Sequence, residues 1–195
     1  MSEARSAQYP VAAQFVERWS PRSLTGEAID DQTLFSLFEA ARWAPSAYNV
    51  QPWRFSYAKH GSGSWDAYLE FLNDFNRSWA KNASALVVVL SKTTSLSAEQ
   101  EVENPSHSFD TGAAWASLAL QAHLSGWVTH GMTGIHKEKI REVLELPENY
   151  TVEAVIAIGK RGDKSALPEG LQAKESPNER RPLEETVFEG LGFKA

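Results

Sequence analysis

The sequence predicts a mixed α+β fold, a central sheet covered by helices. Three observations carry that expectation. Ala85–Leu90 (ALVVVL) is a continuous run rich in β-branched residues, as expected of a strand covered on both faces. The segments around it repeat their apolar residues at three and four, the period of amphipathic helices. Strands and helices do not alternate strictly, and neither G-x-G-x-x-G nor G-x-x-x-x-G-K-[ST] occurs, so a doubly wound dinucleotide-binding layer is disfavoured.

The elements follow in order. Val11, Phe15 and Trp19 fall at spacings of four and predict a helix over Val11–Trp19, ended by Pro21. Leu34, Leu37, Phe38 and Ala41 predict a second helix over Asp31–Trp43, capped by Asp30 or Asp31 and broken by Pro45. Trp53–Tyr57 alternates large apolar with polar residues and reads as a strand, closed by the turn Gly61–Ser64. Trp65–Lys81 reads as helical in pieces. After the ALVVVL strand, Thr93–Ser108 is polar and without useful period, either a lid or an exposed loop. Asp110 then caps a helix running to about Ser125 that is apolar nearly all round and needs cover from several sides; Gly126 closes it. Trp127–Thr129 is a short strand, His136–Leu146 a helix, and Val152–Ile158 another buried strand. From Lys160 onward the chain reads as irregular.

Composition narrows the function. The 195 residues carry 19 Lys and Arg against 25 Asp and Glu, a net charge of −6, so no global positive field gathers nucleic acid. Cysteine is absent, which removes disulfides, a thiolate nucleophile and Cys-type metal sites. No apolar run approaches membrane-spanning length, and the opening MSEARSAQYP lacks a signal-peptide core, so a cytoplasmic protein is expected with no membrane partner. The five histidines form no helical metal pair, and no G-x-S-x-G elbow occurs. Sequons at Asn76, Asn82 and Asn149 are read as chance matches. Seven Trp and nine Phe suit a dense core or a pocket for a planar ligand; Trp43, Tyr48 and Trp79 are read as core packing.

Two segments point to chemistry. Arg18-Trp19-Ser20-Pro21-Arg22 places two guanidinium groups around a hydroxyl, either an anion grip or a solvated helix end with cations near its C-terminal dipole. Ala44-Pro45-Ser46-Ala47-Tyr48-Asn49-Val50-Gln51-Pro52-Trp53 is a rigid helix-to-strand turn that can aim amides and a hydroxyl at a polar ligand.

Taken together, R-x-S-x-R followed by A-P-S-A-x-N-x-Q-P-W resembles the FMN-dependent nitroreductase family. Asn76 before the buried strand, Gly131-Met132-Thr133-Gly134, and Glu179-Arg180-Arg181-Pro182-Leu183-Glu184 extend the resemblance over essentially the whole chain. The resemblance implies a single domain over 1–195 with a central, mainly antiparallel sheet, and an intertwined homodimer in which the arm 160–195 packs on the partner. It implies FMN as cofactor. Arg18, Trp19 and Ser20 would lie at its phosphate and ribityl end, joined by Arg180 and Arg181, and Arg22 near the pyrimidine edge, where a cation favours reduction. Asn76 would bind the same region, and the backbone of Thr133 and Gly134 would approach flavin N5 and O4; an acidic residue seen in some members is replaced here by Thr133. Pro45, Ser46, Ala47 and Asn49 would reach the flavin of the opposite subunit. The implied activity is ping-pong hydride transfer through flavin N5, from NADH or NADPH to a small nitroaromatic, quinone or related conjugated acceptor, with Phe109 and the 93–108 segment as candidate pocket caps. No protein side chain is required as nucleophile, and no metal. Flavin fragmentation or dehalogenation, and a flavin-binding dimer of little turnover, are the alternatives.

Overall fold

The apolar run that starts at Ala85 forms strand β2 (Ala85–Lys92), buried from Ala85 through Ser91. It pairs antiparallel with β1 (Trp53–Lys59) and with β6 (Tyr150–Gly159), and β6 pairs antiparallel with β5 (Val128–Met132). The result is a four-stranded antiparallel sheet of order β1-β2-β6-β5, the α+β architecture that the resemblance implied. The computed structural model describes residues 5–192; residues 1–4 and 193–195 of the expected 1–195 unit lie outside the described residues.

Side chains alternate across a strand, so β2 serves two cores at once. Ala85, Val87 and Val89 pack with Leu34, Leu37 and Ala41 of α2 (Asp31–Arg42) and with Ala114, Leu118 and Ala122 of α5 (His107–Leu124). Leu86, Val88 and Leu90 pack on the other side with Tyr68 of α3 (Trp65–Leu69), Trp79 of α4 (Asp74–Ala80) and Ile140 of α6 (Lys137–Val143). Two helical layers thus cover one sheet. The β2–β6 register slips once: Val89 faces Ala154 but Leu90 faces Val152, leaving Glu153 as the extra residue of a bulge.

Helix α2 starts as expected, with Asp30 accepting from the Thr33 backbone N–H at 2.7 Å, and Gly126, at φ +72°, ends the turn after α5. Four expectations are corrected. The 93–108 segment is not irregular: β3 (Thr94–Ser97) and β4 (Gln100–Glu103) form a hairpin. Its two-residue turn, Ala98-Glu99, has both φ angles positive, a conformation whose usual Asn-Gly signal is missing here. Asp110 is not a cap; α5 begins three residues earlier, and Asp110 is buried inside it. The first helix is only α1 (Ala13–Glu17), and Val11 and Phe15 are exposed rather than covered by this chain. Of the three aromatics assigned to the core only Trp79 is buried, whereas Trp43 is 74% and Tyr48 102% exposed.

Beyond Lys160 the chain is mostly irregular, with α7 (Glu169–Gln172) as a short helix. Leu167 and Leu171 are buried in this chain's own core, and the later Leu183, Val187 and Leu191 are exposed. Among the described residues no helix is long and apolar enough to cross a membrane.

Leu118 is fully buried between α2 and the sheet. Leu118→Ala is expected to destabilise the fold by about 2–5 kcal/mol, read as a lower urea midpoint at unchanged m-value.

Candidate functional site

Helix α1 ends at Glu17, Arg18 turns into extended backbone, and residues 20–24 run to the edge of the sheet, where Leu24 bridges to Arg161. The segment is held from the far end of the sequence. The buried Glu175 carboxylate accepts the backbone N–H of Arg22 at 2.8 and 3.1 Å and that of Ser23 at 2.8 Å. Ser23 Oγ in turn donates to the Asp163 carbonyl at 2.5 Å. Residues 174–180 are thereby brought beside residues 18–22.

Between these segments lies a cavity of about 220 Å³ whose walls include Arg5, Arg18, Arg22, Lys174 and Arg180. Ser20, Asn178 and His130 supply further polar groups, and Trp19 forms an aromatic wall. Arg5 Nη2 donates to the Arg18 carbonyl at 2.7 Å, and Arg18 Nη1 lies 3.4 Å from Ser20 Oγ. No carboxylate among the described residues forms an ion pair with Arg5, Arg18, Arg22 or Arg180. Burial first, then the guanidinium groups of Arg5 and Arg180, hold the Arg18 pKa below its ordinary value. Arg22 Nε is buried with no hydrogen-bond partner among the described residues. Like charges held together with an unmet donor are costly unless an anion joins them. The donor set fits a doubly charged anion such as a phosphate monoester.

From this cavity a groove of about 370 Å³ continues past Arg18 and Ser20 along α5, with Phe15, Trp115 and Leu120 as apolar walls and Gly131 at its floor. A Cβ on Gly131 would sit 3.3 Å from Trp115 Cζ2, so the glycine keeps the strand close to the ring.

Asn76, Thr133 and Gly134 form a second group. The Asn76 side-chain amide donates to the Gly134 carbonyl at 3.0 Å, as does the Asn73 backbone N–H at 3.1 Å. A Cβ at Gly134 would lie 2.5 Å from Asn73 Nδ2 and 2.8 Å from Asn76 Nδ2, so any larger residue would have to displace these two amides. This group is tied to the cationic cavity through α4: Trp79, one turn after Asn76, packs against His130 with ring centroids 4.7 Å apart and planes tilted by 48°.

The 45–51 loop lies elsewhere and is strained. Tyr48, Asn49 and Gln51 have φ of 50°, 56° and 51°, a region that non-glycine residues seldom occupy. Three bonds hold it there: Ser46 Oγ accepts the Gln51 N–H at 3.0 Å, Gln51 Nε2 donates to the Asn49 carbonyl at 3.1 Å, and Asp110 accepts the Ala47 N–H at 3.1 Å. Pro45, Ala47 and Asn49 are exposed and do not line the cationic cavity of their own chain. Arg181 also lies outside it, in a neighbouring cavity with Gln8 and Leu183, 3.8 Å from Glu185.

Of the residues singled out in the sequence, Arg18, Trp19, Ser20, Arg22 and Arg180 line one cavity, and Arg5, His130, Lys174 and Asn178, with Glu175 behind Arg22, join them without having been singled out. None of these five stands in a motif; for Lys174, Glu175 and Asn178 the one signal is the charged and polar content of the tail, and Arg5 and His130 carry none.

The model described as "Nitroreductase family" matches residues 15–70 and 60–160. A solved structure of an oxidoreductase containing FMN superposes with TM-score 0.96 at 46% identity, over 100% of this chain and 99% of that one. A Desulfovibrio desulfuricans protein solved in complex with FMN shares the fold, with TM-score 0.73 at 24% identity over 94% of this chain and 98% of that one. A Streptomyces coelicolor protein, provisionally named an NADH dehydrogenase/NAD(P)H nitroreductase, is 39% identical over 79 residues; the match spans 40% of this chain and 38% of that protein, well under two thirds of its length.

His130 gives the cavity a pH signature. Burial first, then the Arg22 charge, lowers its pKa below 6.5, against backbone contacts with Pro21 and Ser20 and the Glu175 charge, which raise it. Below pH 6.5 the unfolded chain therefore binds this proton before the folded one does, so the contribution is fully present above 6.5 and is lost as pH falls toward the folded pKa. Urea midpoints measured from pH 7.5 to 5.5 should fall more steeply for the parent protein than for His130→Gln; parallel curves would assign the group an ordinary pKa.

Proposed function

Because the chain belongs to the nitroreductase family, we propose that it is an FMN-dependent NAD(P)H oxidoreductase that reduces nitroaromatic, quinone or related conjugated acceptors in two half-reactions. The observation that supports this most is the cationic cavity. Among the described residues its guanidinium groups have no carboxylate partner and Arg22 Nε is a buried donor without an acceptor, and an apolar groove leads away from it. That is the donor set of a phosphate joined to a flat, largely apolar body.

Arg18, Ser20 and Arg180 would hold the FMN phosphate, with Trp19 beside the ribityl chain. Phosphate carries about two negative charges at neutral pH, which relieves the repulsion among these cations. Arg22 would offset negative charge at the pyrimidine edge, and Asn76 with the backbone of Thr133 and Gly134 would orient the polar edge of the ring. When bound, FMN supplies the two-electron carrier that takes hydride from NADH or NADPH and passes electrons to the acceptor. The protein's own part is positioning and electrostatics.

Pro45, Ser46, Ala47 and Asn49 reach no cavity of their own subunit that holds these cations, which favours a role toward a second copy. The exposed Val11, Phe15, Phe109, Leu124 and Val187 offer apolar surface for that contact, with the tail beyond residue 182 as part of it. The proposed unit is a homodimer with two sites at its interface.

An absorption spectrum of the purified protein is expected to show bound flavin, bleached anaerobically by NADH or NADPH and restored by a quinone. A colourless protein that FMN does not saturate would overturn the reading. Arg18→Ala should weaken FMN binding by about 1.5–3 kcal/mol, roughly ten- to 150-fold, while Arg181→Ala leaves it within about twofold. Arg22→Gln should retain FMN and lower its midpoint potential; an unchanged potential removes the proposed electrostatic role. Sedimentation velocity should give a dimer, and a monomer that retains FMN would refute the shared site.

A further inference from the structure

A separate cavity of about 150 Å³ opens between the first half of α5 and the sheet. Val89, Ile156 and Trp115 give it apolar walls, and Ser108, Thr111 and Glu153 give it polar ones. Glu153 is the bulge residue of β6, the position at which a strand redirects a side chain out of its regular alternation. Its Oε1 accepts from Ser91 Oγ at 2.5 Å and from Ser108 Oγ at 2.6 Å, and His107 Nδ1 lies 2.7 Å from the same Ser91 Oγ. Those contacts fix the carboxylate, yet Oε2 receives no hydrogen bond among the described residues. Thr111 is 1% exposed and its Oγ1 has no hydrogen-bond partner among the described residues. A buried hydroxyl left unmet beside a fixed carboxylate is an expense that an internal packing role does not explain.

We propose that this cavity binds a single aromatic ring carrying an O–H or N–H donor, a phenol or an aromatic amine. Its volume is that of an engineered apolar cavity known to admit benzene, and the apolar walls suit one ring. The donor would bind Glu153 Oε2, with the Thr111 hydroxyl as a second partner. A nitro group or a quinone carbonyl presents only lone pairs to the carboxylate and is disfavoured. Trp115 and Gly131 also line the groove that leads to Arg18 and Ser20, so the cavity adjoins the proposed flavin site. Its link to turnover rests on that reading: reduction of a quinone by two electrons and two protons turns both carbonyls into O–H groups, the form the cavity selects. The binding claim does not depend on it.

Calorimetric titration of the protein as isolated with phenol, aniline, benzene and nitrobenzene tests the proposal, with FMN content read from absorbance in the same samples. Phenol and aniline should bind saturably at one site per chain, about five- to tenfold more tightly than benzene or nitrobenzene. Glu153→Leu and Thr111→Val should each weaken phenol by a similar factor. Thr111→Val breaks no hydrogen bond of the fold, so it decides the matter even if Glu153→Leu does not fold. Gly112 lines the cavity and a Cβ there meets nothing within 4 Å, so Gly112→Leu should fill the space and abolish binding. Absence of saturable binding, equal affinity for phenol and nitrobenzene, or phenol binding unchanged in both Thr111→Val and Gly112→Leu would overturn it. Colourless protein that binds phenol defeats the flavin reading alone; yellow protein that does not bind it defeats this proposal alone.

Discussion

The contact between the Glu175 carboxylate and the backbone N–H groups of Arg22 and Ser23 underlies the whole site. It joins parts of the chain more than 150 positions apart, and it does so with a charged acceptor that is buried and takes three short bonds from two donors. A charge-assisted bond to an N–H is stronger than a neutral one, and a carboxylate left unpaired at this depth is costly. The arrangement also separates two tasks. Glu175 binds the backbone and forms no ion pair with Arg22 among the described residues, so the segment is anchored while the guanidinium stays available. Had the carboxylate paired with a guanidinium instead, the cavity would have lost much of its attraction for an anion.

The sheet supplies the rigid platform for that contact. β2 is buried on both faces and fixes β6 and, through it, β5, which carries His130 and Gly131 and leads into Thr133 and Gly134. Helix α5 packs across the same sheet and carries Asp110, which holds the strained 45–51 loop from a distance of 63 residues. The site thus draws on loops whose ends are set by packed elements, the usual way a rigid scaffold positions mobile chemistry.

The sequence made the layered core legible because burial on two faces leaves an unbroken run of β-branched residues, and because α2 keeps strict three-four spacing. It hid the β3–β4 hairpin, since Ala98 and Glu99 adopt positive φ without the glycine or asparagine that normally announces it. Trp43 was misplaced because apolar character says nothing about direction: it lies at the end of α2, where its indole N–H donates to Glu39 at 2.8 Å and Arg42 stacks on the ring. For the site, the R-x-S-x-R and P-S-x-x-N patterns were visible because they are compact in sequence. Arg5, Lys174, Asn178 and Glu175 join it only through folding, so no spacing rule reveals them. The bulge at Glu153 was equally silent, because a single residue out of register leaves the strand's composition unchanged.

The cationic cavity has one wall from residues 5–22 and another from residues 174–180, with His130 between them. During synthesis the sheet and its helices can collapse as soon as β6 leaves the ribosome, yet the cavity still lacks its last wall until some twenty residues more have emerged. An anion in this cavity would therefore meet its full set of walls only after residue 180 has been made, too late to template the core. Chains that stall or are clipped ahead of Glu175 would be folded in their core and empty-handed at the rim, a population that quality control must recognise by something other than exposed core.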